Sequence, residues 1–172
     1  TSAFYLFFIT LRDFIGKKFK NLSQNISHFG FSLLILSILL NNIFSTEIIT
    51  NLKIGESFQS EKFKINFEKI VQEDKQNFKS IIGKFRIENS KGIIEILRPE
   101  LRIYNQPNIA TSEADIKTNI LTDKFMTMNL VQNQEYFNIR YQVKPLMMWI
   151  WISVLLISFG GLLSLFKKKY EN

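Results

Sequence analysis

The order of hydrophobic and polar positions gives the chain two long apolar runs with an alternating stretch between them. The first run covers residues 26–45. The second covers residues 145–166, within which positions 146–166 carry no charge. About 20 predominantly apolar residues suffice for a helix to cross the hydrocarbon core of a bilayer. The pattern therefore predicts two transmembrane helices, with the buried core helix of a soluble protein as the alternative for the first.

The second run also has features that are typical of membrane helices. Pro145 precedes it, at a position where a helix loses least by lacking an N–H donor. Trp149 and Trp151 lie near one end, as expected of side chains at a membrane–water interface. Gly160 and Gly161 favour the close approach of a neighbouring helix.

Residues 46–144, between the two runs, are predicted to form a small antiparallel β domain outside the membrane. Phe63, Ile65 and Phe67 alternate with polar residues, which is the period-two pattern of a strand with one buried face. Further strands are predicted at residues 81–88 and 92–98, flanking a turn at 89–91, and at 124–131 and 137–143. Residues 111–116 are compatible with one short helix.

The basic residues lie beside the apolar runs rather than together in one folded region. Residues 1–27 hold four basic residues against one acidic, the tail 167–172 holds three against one, and the middle holds 15 against 13. A nucleic-acid binder gathers its basic residues on one face, so no nucleic-acid partner is predicted. Cytoplasmic loops of membrane proteins are enriched in Lys and Arg. We therefore expect the loop 11–25 and the tail to be cytoplasmic, or on the matrix side of a mitochondrial membrane.

The opening residues 1–10 are apolar and lack the basic start and the cleavage site of a signal peptide. They are interpreted as the end of a further, truncated transmembrane helix. The chain is thus predicted to be an α+β membrane protein and a carboxy-terminal piece of a longer multi-pass protein. Its expected location is the bacterial inner membrane or the mitochondrial inner membrane, with the lipid bilayer as one partner. The β domain is then expected in the periplasm or the intermembrane space.

Composition excludes several classes of catalytic site. The chain has no cysteine, which excludes disulfides, thiolate metal sites and a cysteine nucleophile. Its single histidine excludes any site that needs two imidazoles from this chain. No phosphate-binding glycine motif or nucleophile elbow is present. The acidic residues Glu100, Glu113, Asp115 and Asp123 are interpreted as solvated or as partners of nearby arginines, and no catalytic residue is predicted.

His28 is the one residue with candidate cofactor chemistry. A histidine at the start of an apolar helix is costly unless it faces protein, water or a cofactor. Ser32 lies one turn further on, and Gly30 is expected to leave room for a flat ring. An imidazole there is suited to be an axial ligand of heme iron. The alternative is an interfacial histidine that is hydrogen-bonded to backbone or to lipid headgroups.

Several short segments, in order and at matching spacing from residue 26 almost to the end, resemble the cytochrome c maturation protein F family, the heme lyase subunit. The matching segments are His28-Phe29-Gly30, Gly55-Glu56, residues 98–104 (RPELRIY), residues 111–118 (TSEADIKT), Thr122-Asp123-Lys124-Phe125, Arg140, Lys144-Pro145, Trp149-Ile150-Trp151 and Gly160-Gly161-Leu162-Leu163. The sequence departs from the family pattern at Leu101, Thr122 and Phe125, where lysine, arginine and tyrosine are usual.

The resemblance implies a membrane complex that attaches heme to c-type cytochromes. Its partners would be a holo heme chaperone of the periplasm, apocytochrome c and other heme lyase subunits. His28 falls on the position of an axial ligand to a resident heme b, whose second axial ligand would come from an upstream part of the protein. The fragment alone is not expected to be catalytic. The competing hypothesis is a non-catalytic, membrane-anchored β-domain module of a secretion or transport complex, which binds no heme.

Overall fold

This computed structural model describes residues 2–16, 22–131 and 135–170. The apolar segments near both ends of the chain form three helices. Within these residues the helices are α1 (Ser2–Gly16), α2 (Leu22–Phe44) and α3 (Met147–Tyr170). Helix α2 and the stretch Met147–Phe166 of α3 are long and apolar enough to cross a membrane. The lysines of the predicted basic loop, at positions 17, 18 and 20, lie outside the described residues. The same holds for the side chains at 167–170 of the predicted tail.

Helix α2 packs against both other helices. On the α1 side, the ring of Phe29 stacks on Phe14 at 5.2 Å between centroids, and the hydroxyl oxygens of Thr10 and Ser32 are 2.5 Å apart. Residues 11–25 are predicted to be a loop, but α1 continues to Gly16 and α2 already begins at Leu22, because the polar ends of both helices still form helical turns. The Asn25 side chain supports this arrangement by donating to the carbonyl of Asp13 in α1.

Ten strands follow in the described residues between α2 and α3. They are β1 (Thr46–Leu52), β2 (Ser57–Gln59), β3 (Phe63–Asp74), β4 (Phe78–Asn89), β5 (Ile94–Leu97), β6 (Glu100–Tyr104), β7 (Ala110–Glu113), β8 (Asp115–Thr118), β9 (Thr122–Leu130) and β10 (Phe137–Pro145). A four-stranded sheet has the order β1-β10-β9-β8. A six-stranded sheet has the order β2-β3-β4-β6-β7, with β5 also paired to β4.

The hydrophobic core of the β domain is made by alternate residues of these strands. Phe67 of β3 stacks on Phe85 of β4 at 4.3 Å and meets the edge of Phe137 of β10 at 5.6 Å. The two sheets are also joined by a hydrogen bond from the Ser112 hydroxyl to the carbonyl of Met128, at 2.9 Å. The fold is therefore the predicted antiparallel β domain, flanked in sequence by two long apolar helices.

Most of the predicted strands are confirmed. Strand β3 buries Ile65 and Phe67 as the alternation requires, and β9 and β10 cover the two strands predicted near residues 124–143. The hairpin is confirmed as well, since β4 and β5 pair antiparallel around the turn. Its Asn89 side chain accepts the backbone N–H groups of Lys91 and Ile93, at 2.9 Å each.

The short helix considered for residues 111–116 is wrong. These residues form β7 and the first half of β8, and β7 pairs antiparallel with β6, with Ser112 opposite Leu101. The reason is strand pairing, because the backbone groups of β7 bond to the preceding strand β6, and this overrides the local preference of the segment.

The chain divides into two compact units. A β unit comprises Thr46–Thr118 and Lys124–Val143, and a helical unit comprises Thr1–Ser45, Asn119–Asp123 and Lys144–Asn172. In the helical unit, Leu146 has a φ of 59° and its carbonyl accepts the N–H groups of Trp149 and Ile150. Leu146 thus closes the first turn of α3.

Candidate functional site

His28 lies in the second turn of α2 with its imidazole exposed. The next residue, Phe29, points toward α1, where its ring contacts Phe7 and Phe14. His28 instead lies at an open cavity between α2 and α3. Its side chain is therefore available to a group outside the described residues.

The cavity has a volume of about 480 Å³ and is lined by polar or small residues from both helices. They are Ser23, Gln24, Ser27, His28, Gly160, Gly161 and Ser164. Ligand sites in proteins typically have volumes of about 300–1,000 Å³. The cavity is thus large enough for part of a sizeable planar ligand.

Close approach of the two helices at Gly160 forms one wall of this cavity. A Cβ atom at Gly160 would lie only 2.7 Å from the carbonyl oxygen of Ser23 and 2.8 Å from the nitrogen of Ser27. The Ser27 hydroxyl also donates to the carbonyl of Ile157, at 3.4 Å. The predicted glycine contact is confirmed at Gly160. At Gly161 a Cβ atom would meet nothing within 4 Å, because this glycine faces the open cavity.

The expectation about the space beside Gly30 is wrong. Gly30 does not leave room for a flat ring, because a Cβ atom there would lie 3.0 Å from the backbone nitrogen of Ile157. The space beside Gly30 is thus filled by α3. Ser32 is fully buried and its hydroxyl is engaged with Thr10 and with the carbonyl of Phe29. It is therefore unavailable to orient the imidazole.

The residues present fit a heme held by one axial ligand from this chain. An exposed imidazole can bind iron through one ring nitrogen, and only one such ligand is needed for each face of the porphyrin. Gly161 presents backbone with no side chain to this cavity, which suits the approach of a flat macrocycle. Among the described residues no cluster of three or more His, Cys, Asp or Glu side chains is placed to hold a bare metal ion.

The acidic residues considered in the sequence form structural pairs. Glu100 of β6 accepts hydrogen bonds from the guanidinium of Arg102, at 3.0 Å for each carboxylate oxygen, and from the hydroxyl of Ser80, at 2.7 Å. Glu113 lies 3.7 Å from the same guanidinium. The Arg102 guanidinium, aided by the Ser80 hydrogen bond, holds the pKa of Glu100 below its ordinary value.

The other two acids differ in their surroundings. A carboxylate oxygen of Asp115 accepts the backbone N–H of Arg98, at 2.6 Å. Asp123 is buried, and its Oδ1 atom has no hydrogen-bond partner among the described residues. The interpretation of Glu100, Glu113 and Asp115 as partners of Arg98 and Arg102 is therefore confirmed, whereas the expectation that Asp123 is solvated is wrong, because its side chain is buried.

Sequence reasoning missed Ser80 and Phe78 as members of this group. Phe78 lies under the guanidinium of Arg102, with 5.2 Å between the guanidinium carbon and the ring centroid. Ser80 faces Arg102 across the β4–β6 pair. The signal was the polar Ser80 between Phe78 and Ile82, the apolar residues two positions before and after it on the same face of the strand, which indicates a buried hydrogen-bond partner.

Comparison with known proteins identifies the family. The family described as "CcmF C-terminal beta-sandwich" matches residues 43–145. The cytochrome c-type biogenesis protein CcmF of Pseudomonas fluorescens is 30% identical over 148 residues, which cover 86% of this chain and 22% of that protein. CcmF of Haemophilus influenzae is also 30% identical over 148 residues, covering 85% of this chain and 22% of the relative.

A solved structure supports the fold. The structure described as "Cytochrome c Heme Lyase CcmF" superposes with a TM-score of 0.67 at 17% sequence identity, over 93% of this chain and 28% of that chain. The chain thus spans only about a fifth to a quarter of the length of the proteins it matches. Because the family match covers more than half of the chain, the chain belongs to the CcmF C-terminal beta-sandwich family.

Proposed function

We propose that the chain is the carboxy-terminal part of a membrane heme lyase for c-type cytochromes. The support is its family and the names of its relatives, which are cytochrome c-type biogenesis proteins. In this proposal α2 and α3 cross a bacterial inner membrane or a mitochondrial inner membrane, and the β unit lies outside. The whole protein would accept heme from a periplasmic heme chaperone and attach it to apocytochrome c, together with other subunits.

His28 is proposed to be one axial ligand of a resident heme b. The observation that carries this proposal is the exposed imidazole at an open cavity whose α3 side is lined by Gly160, Gly161 and Ser164. When bound, such a heme supplies one-electron redox chemistry. The second axial histidine would come from another part of a longer protein. Ser27 and Ser164 would supply polar contacts at the edge of the same cavity.

The depth of His28 in α2 adds a functional constraint. An α-helix rises 1.5 Å per residue, so His28 lies about 24 Å along the axis from Phe44, where α2 ends. If the termini are cytoplasmic, the imidazole holds its ligand near the cytoplasmic side of the bilayer. His28 would then serve electron supply from within the membrane rather than contact with the apocytochrome outside.

The test is replacement of His28 by alanine in the full-length protein. We expect the His28→Ala protein to lose the absorbance of reduced heme b, because one of two axial ligands is removed. Gln24→Ala is the matched control, since Gln24 lines the same cavity one turn earlier and should leave the absorbance intact. Wild-type heme content and spectrum in His28→Ala would remove the ligand role. Absence of heme from the wild-type protein would favour the anchor module.

A further inference from the structure

Two large apolar side chains are exposed in the loop 119–122 of the helical unit. Ile120 is 65% exposed and its neighbour Leu121 is 64% exposed. Adjacent exposed residues of this kind at a loop tip are unfavourable in water, because they leave apolar surface hydrated. They are favourable where that surface contacts lipid.

Hydrogen bonds fix this loop to the start of α3. The backbone N–H of Leu146 donates to the carbonyl of Leu121 at 2.8 Å, and the indole N–H of Trp149 donates to the carbonyl of Ile120 at 2.9 Å. The side-chain oxygen of Asn119 accepts the backbone N–H of Leu121 at 2.9 Å. The loop tip is therefore held beside the first turn of α3.

The same hydrogen bonds satisfy backbone polar groups of the loop, so that the loop can enter an environment with little water. Backbone groups that enter the low-dielectric part of a membrane must be paired within the protein. Both carbonyls of the Ile120-Leu121 pair, and the N–H of Leu121, already have partners. Their apolar side chains can thus leave water without stranding these polar groups.

The place where the loop is bonded to α3 indicates that the loop lies at the membrane–water interface. The apolar stretch of α3 begins at Met147, and the indole of Trp149 is bound to the loop itself. Tryptophan with its apolar ring in the membrane and its N–H satisfied is typical of the membrane–water interface. A loop tied to that residue lies at the same depth as the start of the span.

We propose that Ile120 and Leu121 insert into the outer-leaflet interface of the bilayer, where phospholipid acyl chains cover them and the loop 119–122 anchors the start of α3. This inference rests on the proposed function, since it requires that α3 crosses the membrane. It adds a lipid-binding surface to a loop whose sequence belongs to neither apolar run.

Site-directed spin labelling of the full-length protein tests the proposal. A nitroxide is attached at Ile120→Cys, in a protein without other reactive cysteines, reconstituted in phosphatidylethanolamine–phosphatidylglycerol vesicles. Collision rates are measured with oxygen, which concentrates in lipid, and with a water-soluble nickel chelate. Reference labels are placed at Leu155→Cys, exposed on α3, and at Ile93→Cys, exposed in the β unit.

We expect the label at residue 120 to collide with nickel several-fold less than the label at residue 93, and to collide freely with oxygen. Nickel access at 120 equal to that at 93 would overturn the anchor, and so would low collision rates with both reagents, which indicate cover by protein. A label at residue 155 that is freely accessible to nickel would overturn the membrane crossing of α3 as well. Failure of the anchor is thereby distinguished from failure of the proposed function.

Discussion

The carboxylate of Glu100 meets its partners on one face of the six-stranded sheet. It accepts a two-pronged interaction from Arg102 and a third hydrogen bond from the buried hydroxyl of Ser80. Charge-assisted pairs of this geometry are stronger than single neutral hydrogen bonds. The contacts of Glu100 with Ser80 and of Arg102 with Glu113 thus connect β6, within the segment by which the family is recognisable, to β4 and β7.

This pair predicts an acid-dependent loss of stability. The pKa of Glu100 is below its ordinary value of 4.5 in the folded protein, so its contribution is fully present above that value. The contribution is lost as the pH falls through the lower folded pKa, because the unfolded chain then binds a proton more readily. Glu100→Gln should remove about 1.5–3 kcal/mol at neutral pH.

Hydrogen exchange of the β4 and β6 amides measures this change in the full protein. Their protection, corrected for intrinsic exchange, should fall with acid in the wild type and depend less on pH in Glu100→Gln. Glu73→Gln is a suitable control, because Glu73 makes an exposed pair with Lys75, at 3.8 Å. Equal acid sensitivity of Glu100→Gln and the wild type would show that the pair is not responsible.

Tyr141 presents the opposite situation, a buried polar group without a partner among the described residues. Its side chain is 1% exposed, its hydroxyl makes no hydrogen bond there, and burial raises its pKa. An unsatisfied buried hydroxyl costs free energy that its removal recovers. Tyr141→Phe should therefore be neutral or stabilising by about 1 kcal/mol. Urea unfolding monitored by exchange of the β10 amides checks this, and a clear loss of stability would reveal a partner for the hydroxyl.

At the scale of elements, the sequence predicts the strands and turns that are marked by a pattern of neighbouring residues. The alternation of residues 63–67 suffices for β3, and the turn at Asn89 suffices for the hairpin. Strands β1, β2, β6, β7 and β8 escape prediction, because each is defined by its pairing with another strand rather than by a clear alternation of its own. Among the described residues, the bond from Ser112 to Met128 joins chain segments 16 residues apart. Patterns of neighbouring residues do not predict a contact between positions this far apart.

In the candidate site, too, some features can be predicted from the sequence and others depend on tertiary packing. The position of His28 at the start of an apolar helix is visible in the sequence, and so is the glycine pair that lies opposite it. Which glycine touches α2 and which faces the cavity depends on the rotation of α3. Tertiary packing therefore sets the roles of Gly160 and Gly161, and it also removes Gly30 from the site.

This difference predicts that replacement by alanine lowers stability at Gly160 and leaves it unchanged at the adjacent Gly161. Gly160→Ala should weaken the α2–α3 packing, because its Cβ would overlap the backbone of Ser23 and Ser27. Overpacking typically costs about 1–3 kcal/mol. Gly161→Ala is the matched control, since nothing lies within 4 Å of a Cβ there. Thermal unfolding in detergent should show a lower midpoint for Gly160→Ala alone, and equal midpoints would contradict the packing.

At the scale of the whole molecule, the helical unit and the β unit are proposed to serve different steps. The helices would hold a redox cofactor at His28, and the β unit would lie on the side where heme reaches apocytochrome c. Electron supply and attachment are thus assigned to different regions of the full-length protein.

Potentiometric titration of heme b in the His28→Met full-length protein tests this assignment most directly. Replacement of one axial histidine by methionine raises the reduction potential of heme. Gln24→Met is the control, because it adds a methionine to the same cavity and leaves His28 in place. Ligation by His28 predicts a raised midpoint potential in His28→Met and an unchanged one in Gln24→Met. A wild-type potential and spectrum in His28→Met at full heme occupancy would contradict it.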